Sequence, residues 1–396
     1  MVGKEMLLSI ALILLLGLLL GSLFSKIKLP SLLGMILVGI VLGPHALNLI
    51  DGSILNISAD LRQIALVIIL TRAGLSLDLS DLKKVGRPAV LMCFVPACVE
   101  MAGTVLLAPA LLGITRLEAA IMGSVIAAVS PAVIVPRMIR LMEEGYGTKK
   151  SIPQLLLAGA SVDDVFVIVM FTAFTSLAFT GDVSPVSFLQ IPISIVLGIV
   201  VGAVVGMLLI IFFKAFHMRD SVKLLIILSF SFLLIELQNR LEGIVPISGL
   251  LAIMSLGIVI RQKYDILARR LSGKYNKLWV GAEVFLFVLV GATVDLHYAI
   301  AAGIGAVILV LGALAFRMAG VALCLIKTDL NWKERIFCMA AYAPKATVQA
   351  AIGALPLSMG LPCGQIVLTV AVLSILITAP FGAICIDNLY KKFLVK

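Results

Sequence analysis

Charge is scarce in this chain of 396 residues: 13% are Asp, Glu, Lys or Arg, where soluble domains carry about 25%. With 62% of residues hydrophobic, too little polar surface exists to clothe a water-soluble body, and the composition is that of a membrane protein. Long polar stretches are missing too, so no appended nucleotide-binding or regulatory module is expected. Histidine occurs three times, at loops or helix ends. No HExxH, Gly-x-Ser-x-Gly or clustered metal-ligand phrase occurs, and the chain is not expected to be an enzyme. The six cysteines, at 93, 98, 324, 338, 363 and 385, form no CxxC pair and read as small buried hydrophobes. There is no carbonyl-filter phrase such as TVGYG, which weighs against a gated channel. A net charge of +10 invites a nucleic-acid reading. The basic residues, however, sit in short loops and not on a groove-lining face with aromatics, so no nucleic-acid partner is expected.

What is present is a series of apolar runs, each near the roughly 20 residues that one spanning helix needs. Thirteen are found, at about 5–25, 29–49, 61–78, 88–112, 118–141, 153–180, 187–213, 221–238, 246–261, 279–296, 299–326, 334–358 and 364–388. The fold class expected is an all-α polytopic protein of the lipid bilayer. The first run, Met6 to Phe24, exceeds the apolar region of a signal peptide and is expected to be retained as a helix. Lys and Arg collect after odd-numbered spans: Lys26 and Lys28, then Lys83, Lys84 and Arg87, then Arg137, Arg140, Lys149 and Lys150, onward to Lys391, Lys392 and Lys396. Cytoplasmic loops accumulate such residues. The amino terminus is therefore expected outside and the carboxyl terminus in the cytoplasm, across a bacterial inner or a plasma membrane.

The third span ends Arg72-Ala-Gly-Leu-Ser-Leu-Asp78-Leu and the tenth ends Val290-Gly-Ala-Thr-Val-Asp295-Leu. The second opens Leu29-Pro30 and reaches Gly39-Ile-Val; the ninth opens Val245-Pro246 and reaches Gly257-Ile-Val. Span n thus resembles span n+7, an offset that reverses the direction of travel. Two inverted six-helix units, spans 1–6 and 8–13 joined by span 7, suit an alternating-access carrier, because one fold inverted supplies two near-equivalent states. Broken helices should then fill matching slots. Span 5 carries Ser130-Pro131 near its middle and Pro136 a turn later, and span 12 carries Pro344-Lys345 at similar depth. Proline removes a backbone donor and frees carbonyls that a cation or side chain must satisfy. Pro96 and Pro380 lack such a counterpart and read as ordinary kinks.

Asp163 and Asp164 lie in the middle of span 6, in a stretch with no other charge. One ionisable group at the bilayer centre costs at least about 2.5–3.5 kcal/mol, so two adjacent acids must face a cavity or partners. Neighbouring helix positions are about 100° apart, which lets one carboxylate bind while the other braces. A carboxylate in such a place takes a proton or a metal cation, and that competition suffices to couple two gradients. The partners on offer are Arg317 in span 11, Lys345 at the break of span 12 and Glu100 in span 4. Spans 4 and 11 are repeat-equivalent, so Glu100 and Arg317 occupy corresponding slots. Glu100 and Lys345 suit a structural ion pair as well as they suit a transport role. Arg317 never deprotonates in proteins and cannot carry a transported proton. Arg72 lies near a helix end, where it can snorkel to the interface.

In Ala160-Ser-Val-Asp163-Asp164-Val-Phe-Val-Ile-Val, Ala128-Val-Ser130-Pro131-Ala-Val-Ile-Val-Pro136 and Ala343-Pro344-Lys345-Ala-Thr-Val-Gln349, the sequence resembles the monovalent cation:proton antiporter superfamily. The closest resemblance is to sodium/proton exchangers of the paired-aspartate, NHA-like branch, and it covers essentially the whole chain. It implies a homodimer, with a dimerisation domain from 1–86 and 220–297, a linker helix at 182–219 and a mobile core from 87–181 and 298–396. It implies that helices 5 and 12 cross at unwound centres beside Pro131 and Pro344. It further implies that Asp164 is the main cation carboxylate, Asp163 the acid paired with a basic group, and Ser130 a polar ligand. The cargo would be Na+ or Li+ against H+, with no cofactor. Many electrogenic two-aspartate members have lysine where Arg317 stands, and the non-titrating guanidinium points to one proton per cation. The competing expectation is a sodium-coupled symporter of an organic anion, built on a similar inverted repeat.

Overall fold

The computed structural model describes residues 2–77, 86–180, 185–241, 245 and 247–396; Asp78, Lys83, Lys84 and Pro246 lie outside them. Among the described residues all regular structure is helical. Each of the thirteen apolar runs holds a helix: α1 (Val2–Lys26), α2 (Ser31–Leu42), α3 (Ser58–Ser76), α4 (Arg87–Met92 and Val95–Leu112), α5a (Arg116–Ile126) with α5b (Pro131–Glu144), α6 (Ile152–Thr180), α7 (Pro185–Ala215), α8 (Asp220–Leu241), α9 (Gly249–Lys263), α10 (Asp265–Ala292), α11 (Leu296–Cys324), α12a (Trp332–Ala341) with α12b (Thr347–Ile352), and α13 (Gly364–Phe393). Eight described helices are long and apolar enough to cross a membrane unaided. Two expectations shift. The second run is helical only to Leu42, and Pro96 does not kink a continuous helix. It opens the second piece of α4 after an interruption at Cys93 and Phe94, where its missing N–H costs nothing.

Two compact units are distinguished, Met1–Arg62 with Ser80–Val167 and Glu283–Lys396, and Gln63–Leu79 with Ile168–Ala282. In the first, α4 and α11 run antiparallel in close contact. Gly103 lies under the Phe316 ring, Gly320 against Val99 and Pro96, and Gly305 against Leu111. Glu100 and Arg317 stand 217 positions apart, and that spacing also separates Asp78 from Asp295. Applied to the Gly103–Phe316 contact, it gives the Gly320–Val99 one. The two helices therefore meet as equivalents about a local two-fold axis, and Glu100 and Arg317 face each other across it.

The same spacing recurs elsewhere to within a residue. Both broken helices start with a capping box: Glu118 N–H donates to Thr115 Oγ1 and Thr115 N–H to Glu118 Oε2, while Glu334 N–H donates to Asn331 Oδ1 and Asn331 N–H to Glu334 Oε2. Each box satisfies donors that a helix start leaves orphaned. In the first unit α2 and α10 cross backbone to backbone at Gly39 and Gly291; in the second, α3 and α9 do so at Gly74 and Gly257. A Cβ at any of the four would collide with the opposing main chain, the close approach that small residues permit between membrane helices. Within the second unit, Gly198, Gly202 and Gly206 form a further small-residue stripe on α7 against α9.

Candidate functional site

The site is built where α5 and α12 lose their helical hydrogen bonds. Between Ile126 and Pro131, and between Ala341 and Thr347, the main chain is unwound, and the two gaps touch: Ser130 N–H donates to Pro344 O at 2.8 Å. Backbone groups freed at this depth have no water to turn to and must find protein partners. Side chains from elsewhere supply them. Arg317, fully buried, donates from Nε to Tyr342 O at 2.8 Å and from Nη1 to Ala127 O, one carbonyl from each gap. Lys345 Nζ donates to Ile126 O. Gln349 Nε2 reaches Ala128 O at 2.7 Å and Ile126 O at 3.3 Å, while its Oε1 accepts from Ala346 N–H at 2.8 Å. Thr378 Oγ1, from α13, accepts from Lys345 N–H at 3.0 Å, and Val129 N–H donates to Asp163 Oδ2 at 2.7 Å.

The charges at the crossing form a closed set of four. Glu100 Oε2 lies 3.0 Å from Arg317 Nη1, and Asp163 Oδ2 lies 2.8 Å from Arg317 Nη2. Glu100 Oε1 lies 2.5 Å from Lys345 Nζ. All four side chains are essentially inaccessible, a burial made tolerable by the meeting of two acids with two bases. The forked guanidinium spans two carboxylates and two carbonyls at once, a reach that an ammonium lacks. The Tyr342 ring, 5.0 Å from the guanidinium carbon, covers it on one side, and Tyr342 OH is tied to Met92 O at 3.0 Å.

Asp164 stands outside this set. It is half-buried, its Oδ1 has no hydrogen-bond partner, and among the described residues it makes no ion pair. Two more buried oxygens nearby in the chain are likewise unpartnered, Asp163 Oδ1 and Ser130 Oγ. Ser130 begins α5b without capping it, so its hydroxyl is uncommitted. Three uncommitted oxygens, two of them carboxylate, flank the Val129–Asp163 hydrogen bond. That is the hard donor chemistry a small alkali cation takes in place of water.

The six side chains expected at the site and the two prolines all fall at the crossing. Asp163 is the braced acid, Asp164 the free one, and both Glu100 and Lys345 belong to the ion cluster. Gln349 was overlooked as a site residue, although an uncharged amide inside an apolar run carries the same warning as a charge. Replacing it with leucine leaves Ala128 O and Ala346 N–H without partners. Gln349→Leu is expected to lower stability by about 1–3 kcal/mol, read as earlier thermal unfolding of the purified protein; an unchanged melting curve would show that these bonds are not needed to hold the gaps. Arg72, expected to reach the interface, lies 6.0 Å from the Trp279 ring.

A family model described as the transmembrane sodium/hydrogen exchanger matches residues 10–392. The human protein named sodium/hydrogen exchanger 9B2 is 34% identical over 95% of this chain and 73% of its own length. Human sodium/hydrogen exchanger 9B1 is 31% identical over 93% of this chain and 73% of its length. Among solved structures, the sodium proton antiporter MjNhaP1 of Methanocaldococcus jannaschii at pH 8 superposes with a TM-score of 0.85 at 22% identity, over 99% of this chain and all of that one.

Proposed function

We infer the function from one premise: the chain belongs to the sodium/hydrogen exchanger family. It is a multi-pass membrane protein that exchanges sodium ions for protons, and none of these relatives supports organic-anion symport. The mechanism we propose rests on one observation, that Asp164 is the single carboxylate at the crossing left outside the compensated set of Glu100, Asp163, Arg317 and Lys345. Protonated, Asp164 is neutral; holding Na+ or Li+, it is neutral again. Either loaded form can pass through the low-dielectric interior, while the empty carboxylate carries an uncompensated charge that bars its passage. Obligatory exchange follows from that difference alone, and no cofactor enters. Asp163 and Ser130 complete the oxygen shell, and Glu100 and Lys345 hold the gaps.

Both loaded forms carry the same net charge, so each turn exchanges one cation for one proton. Arg317 cannot release a proton, and Lys345 is committed to Glu100. A carrier moving one net charge responds to membrane potential by about 2.3 kcal/mol per 100 mV, roughly a fiftyfold change in the cation gradient it sustains. In proteoliposomes clamped at two potentials, the wild type is expected to sustain the same gradient at both. Arg317→Lys, which restores an amine able to titrate, is expected to respond to voltage. A fiftyfold response of the wild type would mean two protons per cation.

The rest of the reading follows the family resemblance. The protein works as a homodimer, with 1–86 and 220–297 at the dimer contact, 182–219 as linker, and 87–181 with 298–396 as the moving core. It faces the cytoplasm with its carboxyl terminus, in a bacterial inner or a plasma membrane.

A further inference from the structure

Tyr342, the residue that follows α12a, reaches α4, α6 and α11 at once. It is fully buried and held at both ends. At one end its hydroxyl donates to Met92 O at 3.0 Å. Met92 closes the first piece of α4, and position 96, whose N–H would answer that carbonyl in an unbroken helix, is proline. The phenol therefore supplies a donor that the main chain lacks. At the other end Tyr342 O accepts from Arg317 Nε at 2.8 Å, and the ring lies 5.0 Å from the guanidinium carbon. Room for the hydroxyl is made on α6: a Cβ on Gly159, one turn before Asp163, would stand 2.7 Å from Tyr342 Oη and 2.8 Å from Met92 Cβ.

What this anchorage fixes is the guanidinium. Arg317 Nη2 meets Asp163 Oδ2 at 2.8 Å, while the next residue, Asp164, keeps an oxygen without a hydrogen-bond partner. A forked cation beside two adjacent acids can answer either one, and a guanidinium turned to Asp164 would occupy the carboxylate that exchange needs empty. Nε is bound to Tyr342 O, so the direction of the planar fork is set by where Tyr342 stands, and its hydroxyl ties Tyr342 to α4. We propose that Tyr342 is a positioning residue for exchange: it aims Arg317 at Asp163 and so keeps Asp164 open to sodium ions and protons. The role rests on Asp164 being the cation carboxylate. An untethered Arg317 becomes an internal competitor for that carboxylate, which raises KM for the cation and leaves kcat in place. A bond that served stability alone would act in the opposite way, its loss lowering the active fraction and hence the apparent kcat at an unchanged KM.

The test is the sodium dependence of proton flux in proteoliposomes, with melting curves of the same preparations, for the wild type, Tyr342→Phe, Pro96→Ala, their combination, Gly159→Ala and Asp164→Asn. Tyr342→Phe keeps the ring and removes the tether. It is expected to raise KM for Na+ roughly three- to tenfold, the worth of one hydrogen bond, with kcat little changed. Pro96→Ala restores an N–H at the position that answers Met92 O in an unbroken helix. Added to Tyr342→Phe, it is expected to recover the melting temperature but not KM, since the ring stays untethered. Recovery of both would reduce Tyr342 to a donor for an orphaned carbonyl and overturn the proposal, as would a wild-type KM in Tyr342→Phe. Should Tyr342→Phe fail to fold, Gly159→Ala, which crowds the hydroxyl off Met92 with the phenol intact, carries the same KM comparison. Asp164→Asn isolates the premise: sodium-driven flux that survives it would refute the assignment of the cation site, whereas its loss beside an unchanged KM in Tyr342→Phe would refute the role of Tyr342 alone.

Discussion

Asp164→Asn is expected to abolish sodium-driven proton movement while leaving the protein folded. The amide keeps the shape of the side chain and removes the charge that lets this position hold H+ and Na+ in turn. A cation entering without that counter-charge is an uncompensated ion at membrane depth, which costs at least about 2.5–3.5 kcal/mol. At 1.4 kcal/mol per tenfold, occupancy falls by roughly a hundredfold or more, and the proton site disappears with it. Folding is spared because Asp164 takes no part in the ion pairs that close the crossing. The measurement is a pH-dye assay in proteoliposomes driven by Na+, Li+ or K+, beside the melting curve of the same preparation. Asp163→Asn gives the contrast, since it removes a partner of Arg317 and of Val129 N–H and is expected to lower the melting temperature. Flux that survives Asp164→Asn but not Asp163→Asn would reverse the two roles.

How much of this arrangement can be read from the chain depends on the range of the forces involved. Spanning length and the basic bias of the loops are local and additive, so the apolar runs that hold the described helices show in composition alone. Proline acts on its own turn, which is why Pro131 and Pro344 mark the gaps. The equivalence of Glu100 and Arg317 is visible as a slot in the repeat, but their contact is not, because a shared slot does not say that two helices meet across the symmetry axis. Gln349 is bonded to carbonyls 221 and 223 positions away, and nothing within its own helix announces them. The glycine crossings Gly39–Gly291 and Gly74–Gly257 escape for the same reason: a glycine in a membrane helix is common, and only the helix opposite reveals why it must be small. The division of labour between Asp163 and Asp164 rests on an angle of about 100°, and the sequence does not say which side of α6 faces Arg317.

Removing the guanidinium is expected to be the most destabilising single change at the crossing. Arg317→Met leaves two buried carboxylates against one ammonium and strips Tyr342 O and Ala127 O of their donor. Breaking a buried ion pair by deleting one partner costs about 3–5 kcal/mol, because the other charge stays behind unanswered. The loss should appear as a large drop in melting temperature, well beyond that of Gln349→Leu. If unbalanced charge is the cause and the lost hydrogen bonds are secondary, charge balance should repair most of it. The double variant Arg317→Met with Asp163→Asn again has one acid, Glu100, facing one base, Lys345, and should recover much of the lost stability. A double variant no more stable than Arg317→Met alone would put the burden on the two unwound carbonyls. Arg317 would then serve chiefly to tie the broken helices together, with its effect on Asp163 a by-product. Measured flux separates the outcomes further: a double variant that folds, keeps Asp164 and still exchanges one cation per proton would mean that the guanidinium builds the site without entering its charge balance.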